Sequence, residues 1–194
     1  MAKTSIEIVQ GTAADIPTVL GLFDTAVEWL KSQDRTGQWG TKPFSQLPRR
    51  VKTVTEAAAS SHLWLAVDFD SETTPDVEQP FIGPDGRRGV VVGSLEVGDK
   101  ASYVESVPES ELYVKFLVTD RKCAGNGVGG LLLDQARKLA REAGVELLRL
   151  DCYAGGDGKL IRYYEKQGFV RTTAFEHEGW PGQLLVERMS NSDE

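Results

Sequence analysis

The run Cys-Ala-Gly-Asn-Gly-Val-Gly-Gly, residues 123–130, constrains this chain more than any other stretch. Four glycines fall within the six positions 125–130. In a helix each glycine costs about 1 kcal/mol relative to alanine, so this density at a helix start calls for a reason. A strand-like run, "LYVKFLV", comes before the loop, and a helical pattern follows it. That pattern puts Val128, Leu131, Leu132, Ala136, Leu139, Ala140 and Ala143 on one face, with Asp134, Arg137, Lys138, Arg141 and Glu142 opposite and Gly144 as C-cap. Small residues between a strand and a helix let backbone N–H groups converge on an anion, where the helix dipole favours negative charge. Gly125, Asn126, Gly127, Val128, Gly129 and Gly130 are therefore read as a phosphate cradle.

Gly125, Gly127 and Gly130 also satisfy G-x-G-x-x-G, and Asp151 lies 21 residues beyond at the end of the next strand. This is the pattern of a dinucleotide site, but its surroundings do not fit. In that motif the first glycine follows the strand almost at once. Here the six residues "TDRKCA" separate Val118 from Gly125. Only 43 residues follow Asp151, and they read as one helix and one hairpin rather than further strand–helix units. A Walker A reading fails because no Gly-Lys-Ser/Thr is present. An NAD-binding oxidoreductase is retained only as the least favoured reading.

Elsewhere, "SIEIVQG" alternates as a strand, and residues 12–32 form a helix capped by Thr12 or Asp15 with Pro17 in its first turn. A second helix is expected over "RRVKTVTEAAASS", then a strand over "HLWLAVDF". Residues 68–89 are polar, rich in Pro and Gly, and read as a long loop or lid. The strands "GVVVGSLEV", "ELYVKFLV" and "VELLRLDCY", a short helix "GKLIRYYEKQG" and a closing hairpin complete the order. The expectation is a single α/β domain over residues 5–189, with about seven strands in a mixed, mostly antiparallel sheet, about four helices and a flexible tail over 190–194.

Composition narrows the function classes. A net charge of −7 argues against nucleic acid and is compatible with a cationic substrate. No apolar run approaches the roughly 18 residues of a membrane span, so no membrane partner is expected. Two cysteines and two histidines make neither a disulfide framework nor a metal cluster, and a reduced cytoplasmic setting fits.

The order strand, glycine loop, helix, strand, short helix, hairpin resembles the GCN5-related N-acetyltransferase (GNAT) family. The family's loop reads Arg/Gln-x-x-Gly-x-Gly/Ala. Ala124-Gly125-Asn126-Gly127-Val128-Gly129 matches it at Gly127 and Gly129 but places Ala124 where the Arg or Gln belongs. Tyr164, Glu165, Lys166, Gly168 and Phe169 match the family's Tyr-Glu-Lys-x-Gly-Phe, while Asp157 stands where the family often has Asn. The resemblance spans the whole expected domain.

It implies acetyl-CoA as cosubstrate, with no metal, and a small-molecule or peptide amine as acceptor, leaving the oligomeric state open with a homodimer as one option. Leu117, Val118 and Thr119 would pair with the pantetheine arm, the loop from Ala124 to Gly130 and Asp157 would hold the nucleotide end, and backbone N–H near Val118 would stabilise the oxyanion. Tyr164 would act as general acid toward the leaving thiolate, with Tyr163 a packing residue. Candidate general bases are Glu96, Glu111 and Asp151, and the residues leave that choice open. Trp39 and Trp180 are candidate pocket walls, Trp29 is expected in the core, and Cys123 is expected to be a free exposed thiol. A CoA-binding sensor without turnover is the alternative from a different class.

Overall fold

The computed structural model describes residues 6–70 and 80–189. Their strands are β1 (Ile6–Gln10), β2 (Leu63–Asp68), β3 (Phe81–Ile82), β4 (Arg88–Gly98), β5 (Glu111–Thr119), β6 (Leu147–Tyr153), β7 (Val170–His177) and β8 (Trp180–Arg188). The helices are α1 (Ile16–Ser32), α2 (Pro48–Ala59), α3 (Val128–Glu142) and α4 (Lys159–Lys166). The sheet runs β1-β2-β4-β5-β6-β8-β7, with β3 paired to β4. β5 and β6 are parallel, and the other pairs are antiparallel. Eight strands thus replace the expected seven. The extra one is β3, whose two residues pair with Arg88 and Gly89 across the tight turn at 83–86. The expected lid is therefore partly a hairpin, and its residues 71–79 lie outside the described ones.

Helices cover both faces of the sheet. Leu63, Leu65 and Val67 of β2 point into a cluster with Val19, Phe23 and Val27 of α1 and Val54 of α2. Ala66, between them in the period-two alternation, points the other way, into a cluster with Leu132 and Ala136 of α3 and Ile161 of α4. The buried stripe of α3 is Val128, Leu132, Leu133, Ala136 and Ala140. Leu133 is absent from the expected face, while Leu131 and Leu139 are only half-buried and Ala143 is exposed. The i, i+4 row from Val128 sets the buried line, and those residues flank it. Among the described residues no helix is long and apolar enough to cross a membrane.

One irregularity positions the site. β5 pairs with β6 only from Glu111↔Leu147 to Val114↔Leu150. At that point the β4 ladder steps from Val97↔Val114 to Glu96↔Phe116, leaving Lys115 as the extra residue of a β-bulge. A bulge bends and twists its strand. Beyond it, Phe116–Thr119 pair with β4, and Asp151–Tyr153 pair with β8. The two strands part, and a cleft opens between their facing edges.

Candidate active site

The cleft continues into a cavity of about 710 Å³. Its walls carry most of the expected cofactor residues: Leu117, Val118, Thr119, Ala124, Gly125, Gly127, Val128, Gly129, Gly130, Asp157 and Tyr164. Asn126 is not on the wall; its N–H donates to the Cys123 carbonyl at 3.1 Å, closing the turn. Gly127, at φ +78°, caps α3 in the left-handed region that side chains avoid. At Gly129 the constraint is space, since a Cβ there would lie 2.2 Å from the Tyr163 hydroxyl oxygen. Tyr163 therefore packs against the core, as expected, and is also a cavity residue held over the loop.

Alternation along β5 decides which peptide groups face the cleft. Asp120 N–H donates to Val92 O at 2.8 Å, and Val118 pairs with Ser94. Residues 118 and 120 therefore turn their backbone groups toward β4, and Leu117 and Thr119 turn theirs toward the gap. Near Val118, the free backbone groups are therefore those of Leu117 and Thr119, because the Val118 amide belongs to the ladder.

Cations border this cavity. Arg121 packs its guanidinium 3.8 Å from the centre of the Trp29 ring, which places Trp29 on the cavity wall rather than in the core. Arg35 and Lys159 flank Asp157 at 2.6 and 2.9 Å. Hydrogen bonds from the Lys159 side chain and backbone, with the nearby Arg35 charge, hold the Asp157 carboxyl low, at about 2. Cys123 is half-buried on the same wall, not exposed, and burial pushes its thiol pKa up.

A second cavity, of about 490 Å³, lies on the other side of the cleft. The two share Gln38, Trp39, Leu117, Tyr153, Leu160 and Tyr164. Tyr164 is 7% exposed and packs edge-on to Phe169, and burial keeps its hydroxyl protonated well beyond the usual range. Trp39 meets Phe23 and Phe44 edge-on at 5.3 and 5.4 Å. Trp180 lines the second cavity and donates Nε1–H to the Gln38 carbonyl at 2.9 Å, tying the closing hairpin to the loop after α1.

The three candidate carboxylates have different settings. Asp151 is on the second cavity's wall, where its carboxylate accepts from the Tyr113 hydroxyl and, at 3.2 Å, from Tyr103. Burial raises its pKa, and the two tyrosines only partly offset that. Glu96 is 1% exposed, behind Lys115, whose Nζ is 2.8 Å from its Oε1. Its Oε2 has no hydrogen-bond partner among the described residues, and burial raises its pKa against the pull of Lys115. Neither cavity touches Glu96 or Glu111. Glu111 sits at the closed end of the β5–β6 pair and is committed to Arg149 at 2.7 Å. That ion pair holds this candidate base away from both cavities.

The sequence reading missed Arg49, Arg50, Thr53, Tyr103 and Tyr153, all on the second cavity's walls. The paired arginines after Pro48 were the available signal, because cations in a helix's first turn oppose its dipole.

With this geometry in place, the comparisons have a clear meaning. The sequence profile of the Acetyltransferase (GNAT) family matches residues 44–169, more than half of the chain. No curated protein sequence matches significantly. Among solved structures, a GNAT-family acetyltransferase of Listeria monocytogenes superposes with TM-score 0.65 at 15% identity, over 95% of each chain. A Salmonella typhimurium protein solved with its cofactor acetyl-CoA gives 0.62 at 15%, over 98% of this chain and 97% of that one. The NatC complex bound to Gag peptide and CoA gives 0.62 at 13%, over 96% and 99%. At these identities the neighbours establish the fold, and the profile match establishes the family. The chain belongs to the GNAT family of acetyltransferases.

Proposed function

We propose that the protein transfers an acetyl group from acetyl-CoA to a primary amine by direct attack in a ternary complex. The observation that carries this reading is the meeting of two cavities at Leu117 and Tyr164, where β5 and β6 part. One cavity has a glycine cradle, a free strand edge and three bordering cations, a combination that fits a pyrophosphate and an amide-bearing arm. The other is aromatic and contains a half-buried carboxylate, Asp151.

When bound, acetyl-CoA supplies an activated acyl thioester. The N–H groups of Gly125 and Gly127–Gly130 hold the pyrophosphate, and Arg121, with Arg35 and Lys159 around Asp157, supplies the positive charge that Ala124 lacks. Leu117 and Thr119 pair with the pantetheine amides, and the Leu117 N–H steadies the developing oxyanion. An amine of pKa near 10 is only about one part in a thousand neutral at pH 7, so a base is needed. Asp151 takes that role: burial moves its pKa toward working pH, and it faces the acceptor cavity. Tyr164 gives its proton to the leaving sulfur.

A covalent acetyl-cysteine route is disfavoured. Cys152 lines the acceptor cavity, but burial pushes its thiol up to about 12, leaving little thiolate. Two-substrate kinetics test the reading. Intersecting lines with thiol release support it, while parallel lines and an acetylated protein in the mass spectrum overturn direct attack. CoA binding with no thiol release across an amine panel would favour the sensor.

A further inference from the structure

Resting on that reading, we infer that the acceptor is a small zwitterion, a free amino acid or close analogue. Its ammonium would meet Asp151, and its carboxylate would meet Arg49 and Arg50. The acceptor cavity has six charged or titratable wall residues outside its tyrosines and cysteine: Arg49, Arg50, Lys115, Asp151, His177 and Glu178. Lys115 is taken by Glu96. Arg49 and Arg50 form no ion pair among the described residues, although the chain as a whole is acidic. Arg50 holds its guanidinium 4.9 Å from the centre of the Phe44 ring, and partial desolvation pulls its pKa down. A ring-stacked, unpaired guanidinium is suited to bidentate capture of an oxyanion.

Opposite polarity lies on the wall formed by β6. Asp151 is the half-buried acid there, next to Cys152 and Tyr153, and Tyr153 is one of the residues both cavities share. Tyr103 links the two ends: its hydroxyl donates to Asp151, and it feels the Arg50 charge. Glu178 is exposed at the tip of the β7–β8 hairpin, on the far rim. Two free cations on α2 against an acid near the cavity junction complement an amine that carries its own anion. A polyamine would leave the arginines unanswered and add like charge beside them. A peptide N-terminus has an amide where the carboxylate is needed. Phe23, Trp39, Phe44 and Trp180 form apolar wall, so amino acids with apolar or aromatic side chains are the expected class. About 490 Å³ is in the small-molecule range of roughly 300–1,000 Å³.

The test is calorimetric titration into protein saturated with CoA, which does not require turnover. The ligands are leucine, methionine and phenylalanine, their carboxamides, spermidine, and tetrapeptides beginning with the same residues. The free amino acids are expected to bind roughly 10- to 100-fold more tightly than their amides, as one charge-assisted hydrogen-bond pair implies. In the doubly substituted Arg49→Gln, Arg50→Gln protein that preference should vanish, with CoA affinity retained as proof of folding. Equal or tighter binding of the amides, spermidine or peptides overturns the inference, as does absence of binding by every ligand. Amino-acid binding without thiol release from acetyl-CoA leaves the inference standing and overturns the transferase reading instead.

Discussion

The two cavities that meet at Tyr164 are built from different materials. The proposed cofactor side draws on main chain, with the turn through Gly125–Gly130, the start of α3 and the free edge of Leu117 and Thr119, flanked by side chains such as Trp29, Arg121 and Tyr163. The acceptor side is side chain: rings and charges from α1, the loop after it, α2, β5, β6, the β4–β5 loop and the β7–β8 hairpin. A main-chain site offers fixed dipoles to a ligand part that does not vary, and it depends on whether the chain can adopt the turn. A side-chain site can be rewritten residue by residue without touching the fold. On the proposed reading, one cavity is thus specialised for holding and the other for choosing.

If that division is real, substitutions should separate cleanly into the two classes. The largest effect is expected at the junction. Tyr164→Phe should lower kcat roughly 100- to 1,000-fold, as removal of a general acid does, with CoA affinity and amine KM little changed. Loss of CoA binding in that variant would mean Tyr164 holds cofactor rather than moving a proton.

Asp151→Asn comes next, with a loss near the lower limit of about 100-fold for a general base, and the acidic limb of the pH–rate profile should go with it. Glu96→Gln should keep that limb. The stability signs are also fixed. An acid whose folded pKa is raised contributes stability below its ordinary value near 3.8, and that contribution is lost as pH rises through the higher folded value. Asp151→Asn should therefore raise the melting temperature at neutral pH and show no gain below about pH 4. A variant less stable than the parent at pH 7 would mean that the Tyr113 and Tyr103 hydrogen bonds outweigh the burial.

On the holding side, Gly127→Val forces a branched residue into φ +78°. A strain of about 1–2 kcal/mol should weaken CoA about 5- to 30-fold in calorimetry while leaving amino-acid binding intact. The smallest effect, in the opposite direction, is expected from Ala124→Arg, which restores the family's side chain. An exposed charge contributes about 1 kcal/mol at most, so CoA should tighten no more than about fivefold, and less in high salt. No change would indicate that Arg121, Arg35 and Lys159 already satisfy the phosphates.

The same contrast explains which features are legible in the amino-acid sequence. The glycine loop, α3 and the Tyr164 helix are legible because their constraints are local. A left-handed turn requires glycine at 127, an amphipathic period requires Leu132 and Ala136, and both requirements act within a few residues. The exact buried stripe of α3 is less so, because Leu133 is selected by what packs against it from β2, β4 and β6. Glu111 cannot be told from Asp151 by local pattern. Each stands in a strand beside hydrophobic residues, and only the pairing of β5 with β6 places one against Arg149 and the other in a cavity. Arg49 and Arg50 read as an ordinary basic helix start until α2 is seen to line the same cavity as Asp151.

The sequence by itself therefore determined the elements apart from β3, their order, the glycine turn before α3 and the family, since backbone conformation and periodicity are properties of short stretches. Tertiary structure alone decided which carboxylate lines a cavity, which amides face the gap, and which charges share the second cavity's wall. Those depend on the Lys115 bulge that parts β5 from β6 and on residues more than a hundred positions apart, such as Trp180 and Gln38, brought into contact by the folding of the sheet.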